Sequence, residues 1–192
     1  MTAFPSKSET PGQSYSCKGE KTVAKVYLIC GKICSGKTCY AEHLRKTFPA
    51  VILSTDEVTY DLTDNAQGDG YNAFALRVNR YLRKKTVQIV QAGANVILDW
   101  GFWTRADRQE ISNYFRAHEV EYEWHYIDVS DERWEENIAE RNRRISSGHG
   151  GSDFYVDEGL RNKVLSGFEV PDRKEIDIWF QEDVSYNANQ RS

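Results

Sequence analysis

The eight residues from Gly31 to Thr38 have the types and the spacing of a phosphate-binding loop. They fit the pattern G-x-x-x-x-G-K-[ST] at every fixed position, and the glycines of this pattern let the backbone approach an anion closely. Backbone N–H groups in such a loop point into a concavity, toward which the next helix directs its positive end. The ammonium group of Lys37 would lie near the β- and γ-phosphates, and the hydroxyl of Thr38 would bind Mg²⁺. We therefore predict that ATP with Mg²⁺ binds to Gly31, Lys32, Ile33, Cys34, Ser35, Gly36, Lys37 and Thr38.

The flanking sequence favours this interpretation over an ordinary strand–turn–helix with an exposed lysine. An unbroken apolar run, Val26–Cys30, precedes the loop, as expected for a strand buried on both faces. A helical pattern from Lys37 to Phe48 follows it and stops before Pro49. The motif and the context that it requires therefore coincide.

Two aspartates follow the next two predicted strands. Asp99 ends an apolar strand, where an ATP site holds the carboxylate that binds Mg²⁺ opposite Thr38; the alternative is a capping aspartate. Asp56 follows Ser54 and could take the proton from an acceptor hydroxyl. Ser54-x-x-Glu57 also matches a capping box, so Asp56 could instead only favour a helix N-terminus.

Two arginines are candidates for binding phosphate from a helix. Trp134, Ile138, Arg141 and Ile145 recur with helical periodicity, so the Arg141 guanidinium lies on the buried stripe and needs an anion. ATP would supply one, with Arg144 adjacent and the Gly/Ser-rich residues 146–152 acting as a lid. An Arg–carboxylate pair is an equally good explanation.

Cys34 lies inside the phosphate-binding loop. Backbone N–H groups and the neighbouring Lys37 would favour its thiolate, which predicts a reactive cysteine.

Strand and helix patterns alternate along the chain. Helices are predicted near 72–92, from Thr104, at 131–145 and at 157–168, whereas residues 61–70 are polar and irregular. Strands are predicted at 26–30, 51–54, 96–98, 121–129 and 176–180. This alternation predicts an α/β fold with a doubly wound, mainly parallel sheet of about five strands, in which ligands bind at the carboxyl ends of the strands.

Length and composition limit the organisation of the 192 residues. We expect a disordered tail at 1–22, one domain at 23–183 and a frayed C-terminus at 184–192. The net charge of −4 gives no overall basic field that would attract nucleic acid. The composition does not exclude a local basic groove for nucleic acid, although we do not favour one. No apolar run is long enough for a membrane span or a secretory signal, so we expect a cytoplasmic protein with no membrane partner.

With these residues in place, the chain resembles the P-loop kinases grouped with polynucleotide 5′-hydroxyl kinases, chloramphenicol phosphotransferase and zeta-type toxin kinases. The resemblance covers about residues 23–179. It rests on Gly31–Thr38, Ser54-Thr55-Asp56, Val96–Asp99, the helix with Arg105, Asp107 and Arg108, and Arg141-x-x-Arg144. The resemblance implies a five-stranded parallel core, with ATP-Mg²⁺ as the phosphoryl donor and a hydroxyl as the acceptor. It also implies that Lys37 and Thr38 bind phosphate and metal, that Asp56 is the base for the acceptor, and that Arg141 or Arg144 is the lid arginine. Arg105 and Arg108 are candidates for holding an acceptor phosphate.

The expected activity is therefore transfer of the γ-phosphoryl group of ATP to a hydroxyl of a small molecule or nucleotide. A polynucleotide 5′-hydroxyl kinase is the alternative within the same class of enzyme. A regulatory ATPase or switch without an acceptor is the alternative from another class.

Overall fold

Five short strands form one parallel sheet in the computed structural model, which describes residues 23–63, 71–150 and 153–181. The strand order is β2-β3-β1-β4-β5, so the central strand β1 is the one that leads into the phosphate-binding loop. The strands are β1 (Val26–Cys30), β2 (Ala50–Ser54), β3 (Asn95–Asp99), β4 (Tyr122–Asp128) and β5 (Ile178–Gln181). The helices are α1 (Lys37–Thr47), α2 (Thr55–Thr63), α3 (Tyr71–Gln91), α4 (Arg105–Ala117), α5 (Asp131–Ser146) and α6 (Glu158–Gly167), with a 3₁₀ turn at Arg173–Glu175. The predicted fold class is thereby confirmed.

Helices cover both faces of the sheet because its strands alternate between two apolar clusters. On β1, Val26 and Leu28 belong to one cluster and Ile29 to the other, and each of the three side chains is 0% exposed. Continuous apolar strands of this kind are typical of parallel sheets that are buried on both sides.

The strand register aligns the ends of three strands at one edge. Ser54 of β2 pairs with Asp99 of β3, which in turn pairs with Ile29 of β1. The loop after β1 begins two residues further on. Side chains that follow β2 and β3 are therefore carried to the same edge as the loop.

Local capping signals fix several helix boundaries. Thr104 and Asp107 form a reciprocal capping box at the start of α4. Gly93, which follows α3, has a φ of +90°, a left-handed conformation that is common at helix C-termini.

Residues 61–70, whose irregular sequence pattern indicated no secondary structure, begin inside a helix, because α2 continues to Thr63. The helix forms there because its fully buried Thr59 packs inward and Thr55 donates a hydrogen bond to Asn79 of α3. Tertiary contacts thus override a weak local pattern. The other residues of that segment, the tail 1–22 and the C-terminal residues 184–192 lie outside the described part of the chain.

No helix in the described ranges is long and apolar enough to cross a membrane.

Candidate active site

Helix α5 holds the loop between β1 and α1 from outside. The indole Nε1 of Trp134 donates to the carbonyl oxygen of Ile33 at 2.7 Å, and Nδ2 of Asn137 donates to that of Cys34 at 2.9 Å. Because a peptide unit is planar and trans, the N–H of Cys34 points away from α5, toward the inner side of the loop. The sequence analysis missed this role of Trp134 and Asn137, since nothing in their spacing from the loop, about 100 residues, indicates it.

The loop conformation requires two glycines for different reasons. A Cβ on Gly31 would lie 2.6 Å from Ser35 Oγ and 3.0 Å from the Ile127 carbonyl oxygen, so the packing leaves no room for one. Gly36 has a φ of +93°, and a Cβ there would meet no described atom within 4 Å. It would project into open space beside the loop, where an anion is expected to bind.

Lys37 is held inside the loop rather than extended into water. Its Nζ donates to the carbonyl oxygens of Gly31 at 3.2 Å and Lys32 at 2.8 Å. Burial lowers the pKa of Lys37, and the charges of Asp99 and Asp56 oppose this shift. Both carboxylates therefore lie close enough to Lys37 to affect its titration.

The side chains of Lys32 and Ser35 take no part in the cleft wall. Lys32 pairs with Asp131 at 2.9 Å and lies over the Trp134 ring, so it offers only its backbone to the loop. Ser35 Oγ is buried, and no described residue forms a hydrogen bond with it.

Thr38 and Asp99 are brought together as the sequence predicted. The Thr38 hydroxyl donates to Asp99 Oδ2 at 2.7 Å, and Asp99 is 8% exposed at the end of β3. A hydroxyl and a carboxylate side by side are oxygen ligands of the kind that Mg²⁺ prefers.

Asp56 lies both at a helix N-terminus and in the cleft. Ser54 Oγ accepts a hydrogen bond from the Glu57 N–H at 3.3 Å, so α2 is capped as the alternative proposed. Asp56 is exposed to the cleft, and partial desolvation by the surrounding protein raises the pKa of its carboxyl, while Lys37 opposes the shift and Asp99 adds to it. Capping and chemistry are therefore compatible in this residue.

Arg141 and Arg144 share one carboxylate. Arg141 Nη2 lies 3.1 Å from Asp153 Oδ1, and Arg144 pairs with the other oxygen of the same group. An Arg–carboxylate pair thus satisfies Arg141 in this structure. The segment with Asp153 is fixed to α5 by Asn142, whose amide exchanges two hydrogen bonds of 2.8 Å with the backbone of Val156.

Arg105 and Arg108 are directed elsewhere, so the structure contradicts their candidate role on an acceptor phosphate. Both pair with Glu175, at 3.3 and 3.0 Å, and Arg108 also donates to the carbonyl oxygens of Phe102 and Glu169. Arg108 is 2% exposed. It joins α4 to the segment before β5.

Cys34 is also not the reactive thiol that the sequence suggested. Its side chain is buried, and burial raises the pKa of the thiol in spite of the charges of Arg141 and Lys37. A raised pKa disfavours the thiolate.

One cleft of about 1050 Å³ unites these groups. Lys37, Thr38, Asp56, Asp99 and Arg141 all line it. Its remaining walls come from α1 and β2, from the loop after β3 and from the residues before and within α6. The volume includes a groove along α1 and β2, so the cleft extends well beyond the phosphate-binding loop.

The residues at the loop fit a nucleotide with its metal. The open side of Gly36, the ammonium of Lys37 and the oxygens of Thr38 and Asp99 have suitable chemistry. Within the described ranges, no group of three or more His, Cys, Asp or Glu side chains could hold a metal ion. A Mg²⁺ ion would therefore depend on phosphate oxygens for part of its coordination.

Comparisons with known proteins agree with this geometry. The model of the AAA domain family AAA_33 matches residues 26–171. A search of curated proteins found no match.

Solved structures with the same fold include three from bacteria. A kinase candidate from Chloroflexus aurantiacus superposes with a TM-score of 0.66 at 16% identity, over 86% of this chain and 90% of its own. The APS kinase CysC of Mycobacterium tuberculosis, in complex with AMPPNP and APS, has a TM-score of 0.55 at 18% identity, over 84% and 90%. A gluconokinase from Sinorhizobium meliloti has a TM-score of 0.54 at 10% identity, over 84% of each chain.

Proposed function

We propose that this chain, which belongs to the AAA domain family AAA_33, is an ATP-dependent kinase that phosphorylates a hydroxyl of a small molecule or nucleotide. One observation carries the proposal. Lys37, Thr38 and Asp99, which suit a triphosphate with its metal, line the same cleft as Asp56, a carboxylate that nucleotide binding does not require. The raised pKa of Asp56 suits it to accept the proton of an acceptor hydroxyl.

The proposed reaction is a direct transfer. The acceptor oxygen forms a bond to the γ-phosphorus, the bond from that phosphorus to the β,γ-bridging oxygen breaks, and ADP leaves. Asp56 accepts the proton of the acceptor hydroxyl, for which its raised pKa makes it a better base than an ordinary aspartate. Lys37 stabilises charge on the phosphate oxygens during the transfer.

Thr38 and Asp99 would hold Mg²⁺ directly or through water. The metal, when bound, supplies charge neutralisation at the β- and γ-phosphates. Arg141 and Arg144 would bind phosphate after release from Asp153. A reaction that consumes ATP also fits the cytoplasmic location predicted from the sequence.

Two of the structural neighbours support the choice of a kinase over other nucleotide-binding proteins. The APS kinase contains an ATP analogue and a second ligand together, and the gluconokinase is named for a sugar acid. At 18% and 10% identity, they bear on the fold and leave the acceptor of this chain open.

The first experiment is a screen for γ-phosphoryl transfer. Labelled ATP is offered with nucleosides, sugars and 5′-hydroxyl oligonucleotides, and the labelled product is identified. A kinase of a small acceptor labels a nucleoside or sugar. Labelling of the oligonucleotides alone would favour the polynucleotide kinase, and ATP hydrolysis that no compound accelerates would favour the regulatory ATPase.

The second experiment is the substitution Asp56→Asn. We expect kcat to fall by about 10² to 10⁴ while the Kd for ATP stays unchanged, because the base acts on the acceptor and not on the donor. Asp61→Asn is the matched control, since Asp61 lies on the same helix, is exposed and does not line the cleft. An unchanged kcat in Asp56→Asn would remove this carboxylate from the mechanism.

A further inference from the structure

Four aromatic side chains line the part of the cleft that the phosphate-binding loop does not form. Trp100 and Trp103 come from the loop after β3, and Phe154 and Tyr155 from the segment before α6. Catalysis of phosphoryl transfer needs none of them, because it depends on charge and positioning. Trp100 belongs to the apolar core and Trp103 packs against it. The rings open to a ligand are therefore those of the partly buried Trp103 and Phe154 and of the exposed Tyr155, which we consider for binding of the acceptor.

Trp103 is seated firmly in this wall. Its ring lies against Gly101, where a Cβ would stand 2.8 Å from two ring atoms, and near Gly167, where a Cβ would stand 3.8 Å away. Its carbonyl oxygen accepts a hydrogen bond from the Glu169 N–H at 2.9 Å. Glycine at position 101 thus provides the space that the indole occupies.

Trp100 is held in a similar way. Its indole Nε1 donates to the carbonyl oxygen of Leu53 at 3.1 Å, and it is 6% exposed. The rings of Trp100 and Phe102 pack against each other with centroids 5.5 Å apart. Trp100 is therefore part of the core, and a ring that enters the cleft meets the partly buried Trp103. Because the Trp103 indole is already ordered by its packing, less entropy is lost on binding.

The charges of the cleft disfavour an acceptor that carries phosphate or sulfate. Among the described residues, six carboxylates and four cations line it. Lys37 serves the phosphate-binding loop, Arg45 pairs with Glu42, and Arg141 pairs with Asp153. Only the exposed Lys163 has no ion pair with a described residue. Because the proposed function assigns Arg141 and Arg144 to the phosphates of ATP, an anionic acceptor would face Asp56 and Glu57 with Lys163 as its counter-charge. Like charges in close contact are costly.

From these observations we propose that the acceptor is a hydroxyl compound with an aromatic or heteroaromatic ring and no anionic group, and that Trp103 determines this specificity by stacking on the ring. The inference rests on the proposed kinase function, because it assigns the second substrate of that site.

The test compares matched compounds and matched variants. Adenosine, adenosine 3′-monophosphate and methyl riboside each keep a free 5′-hydroxyl. The first has an aromatic ring and no anion, the second has an aromatic ring and an anion, and the third has neither. Pyridoxine and a phenyl-substituted diol extend the set beyond nucleosides. We expect transfer from ATP to a ring compound without an anion, and kcat/KM at least tenfold lower for its phosphorylated or ring-free counterpart.

Trp103→Leu should raise KM for the ring acceptor by about tenfold or more, as expected for loss of one stacked aromatic side chain, with KM for ATP unchanged. Gly101→Ala should produce the same change with the indole still present, because the new Cβ displaces it. Trp179→Phe is the control, since Trp179 lies on β5 outside the cleft. An unchanged KM for ATP also shows that the variants are folded.

Preferred transfer to the anionic compound or to the compound without an aromatic ring would overturn the inference. So would an unchanged KM for the acceptor in both Trp103→Leu and Gly101→Ala. A rise in the KM for ATP in these variants would also overturn it, since Trp103 would then stack on adenine. If no compound is phosphorylated, the proposed kinase function fails, and binding then tests only the assignment of Trp103 as a residue that binds an aromatic ring. Quenching of tryptophan fluorescence by an aromatic compound, lost in Trp103→Leu, would support that assignment, and the absence of such quenching would overturn it.

Discussion

The two ends of the cleft are built from different parts of the chain. At the phosphate end, backbone geometry dominates: Gly31 and Gly36 shape the loop, and Lys37 is bound to two carbonyl oxygens of the same loop. At the other end, which we propose binds the acceptor, side chains dominate, and aromatic rings such as Trp100 and Trp103 line the wall. A backbone site binds any phosphate in the same way, whereas a side-chain site can be altered one residue at a time. The comparison suggests that ATP binding is the fixed function of the fold and the acceptor its variable one.

The strongest test of the phosphate end is Lys37→Met, which keeps the length of the side chain and removes its charge. We expect kcat/KM to fall by about 10³ or more, since both ATP binding and transition-state stabilisation are lost. Lys46→Met, an exposed lysine of α1, is the control. Steady-state kinetics with the acceptor found by the screen measures the effect. A fall in kcat/KM of less than tenfold would show that the Lys37 charge is not a main contributor to catalysis.

The pH dependence of kcat/KM connects the two ends. Asp56 must be ionised to act as a base, and its raised pKa means that activity is lost as the pH falls through that value. Lys37 must be protonated, and its lowered pKa means that activity is lost as the pH rises through that value. We expect a bell-shaped profile, narrower than ordinary Asp and Lys pKa values would give, with about tenfold loss per pH unit beyond each limb. If kcat/KM fell neither at acidic pH nor at alkaline pH, the result would contradict this assignment.

The two loop glycines should separate packing from ligand binding. Gly31→Ala should lower the free energy of unfolding by about 1–3 kcal/mol, because its Cβ meets Ser35 Oγ and a carbonyl oxygen. Gly36→Ala should cost about 1 kcal/mol for its positive φ and act mainly on ATP binding, since its Cβ projects into the open side of the loop. Denaturant unfolding and ATP titration of both variants measure the difference. The distinction fails if the two substitutions reduce stability and ATP affinity in the same proportion.

The smallest expected effect concerns Asp153. Its carboxylate neutralises Arg141 and Arg144, so Asp153→Asn should free both for phosphate and lower KM for ATP by up to about fivefold, as expected for a partly exposed ion pair. Glu140→Gln breaks the exposed pair with Arg143 on the same helix and should leave KM unchanged. A rise in KM for Asp153→Asn would mean instead that the carboxylate aligns the arginines.

The phosphate end could be predicted from sequence because its determinants are local. The spacing from Gly31 to Thr38 specifies the loop, and the strand patterns bring Asp56 and Asp99 to the same edge of a parallel sheet. These aspartates indeed lie close enough to Lys37 to affect its pKa.

The partners of several charged and polar residues in and near the cleft could not be predicted, because these contacts join distant parts of the chain. The pairing of Arg105 and Arg108 with Glu175 spans about 70 residues, so their sequence position beside the cleft gave the wrong role. Cys34 shows a second limit: the loop and Lys37 suggested a thiolate, but the burial that decides its pKa comes from tertiary packing. The periodicity that brought Arg141 toward the core could not show that Asp153 would be its partner.

The double hydrogen bond between Asn142 and Val156 has a mechanical consequence. Helix α5 grips the phosphate-binding loop through Trp134 and Asn137, and through Asn142 it also carries the segment with Phe154 and Tyr155. Helix α5 thus connects the proposed ATP site with the proposed acceptor site. A substrate that orders the phosphate-binding loop or the segment with Phe154 and Tyr155 reduces the conformational entropy that the second substrate loses on binding. We therefore expect each substrate to lower the KM of the other.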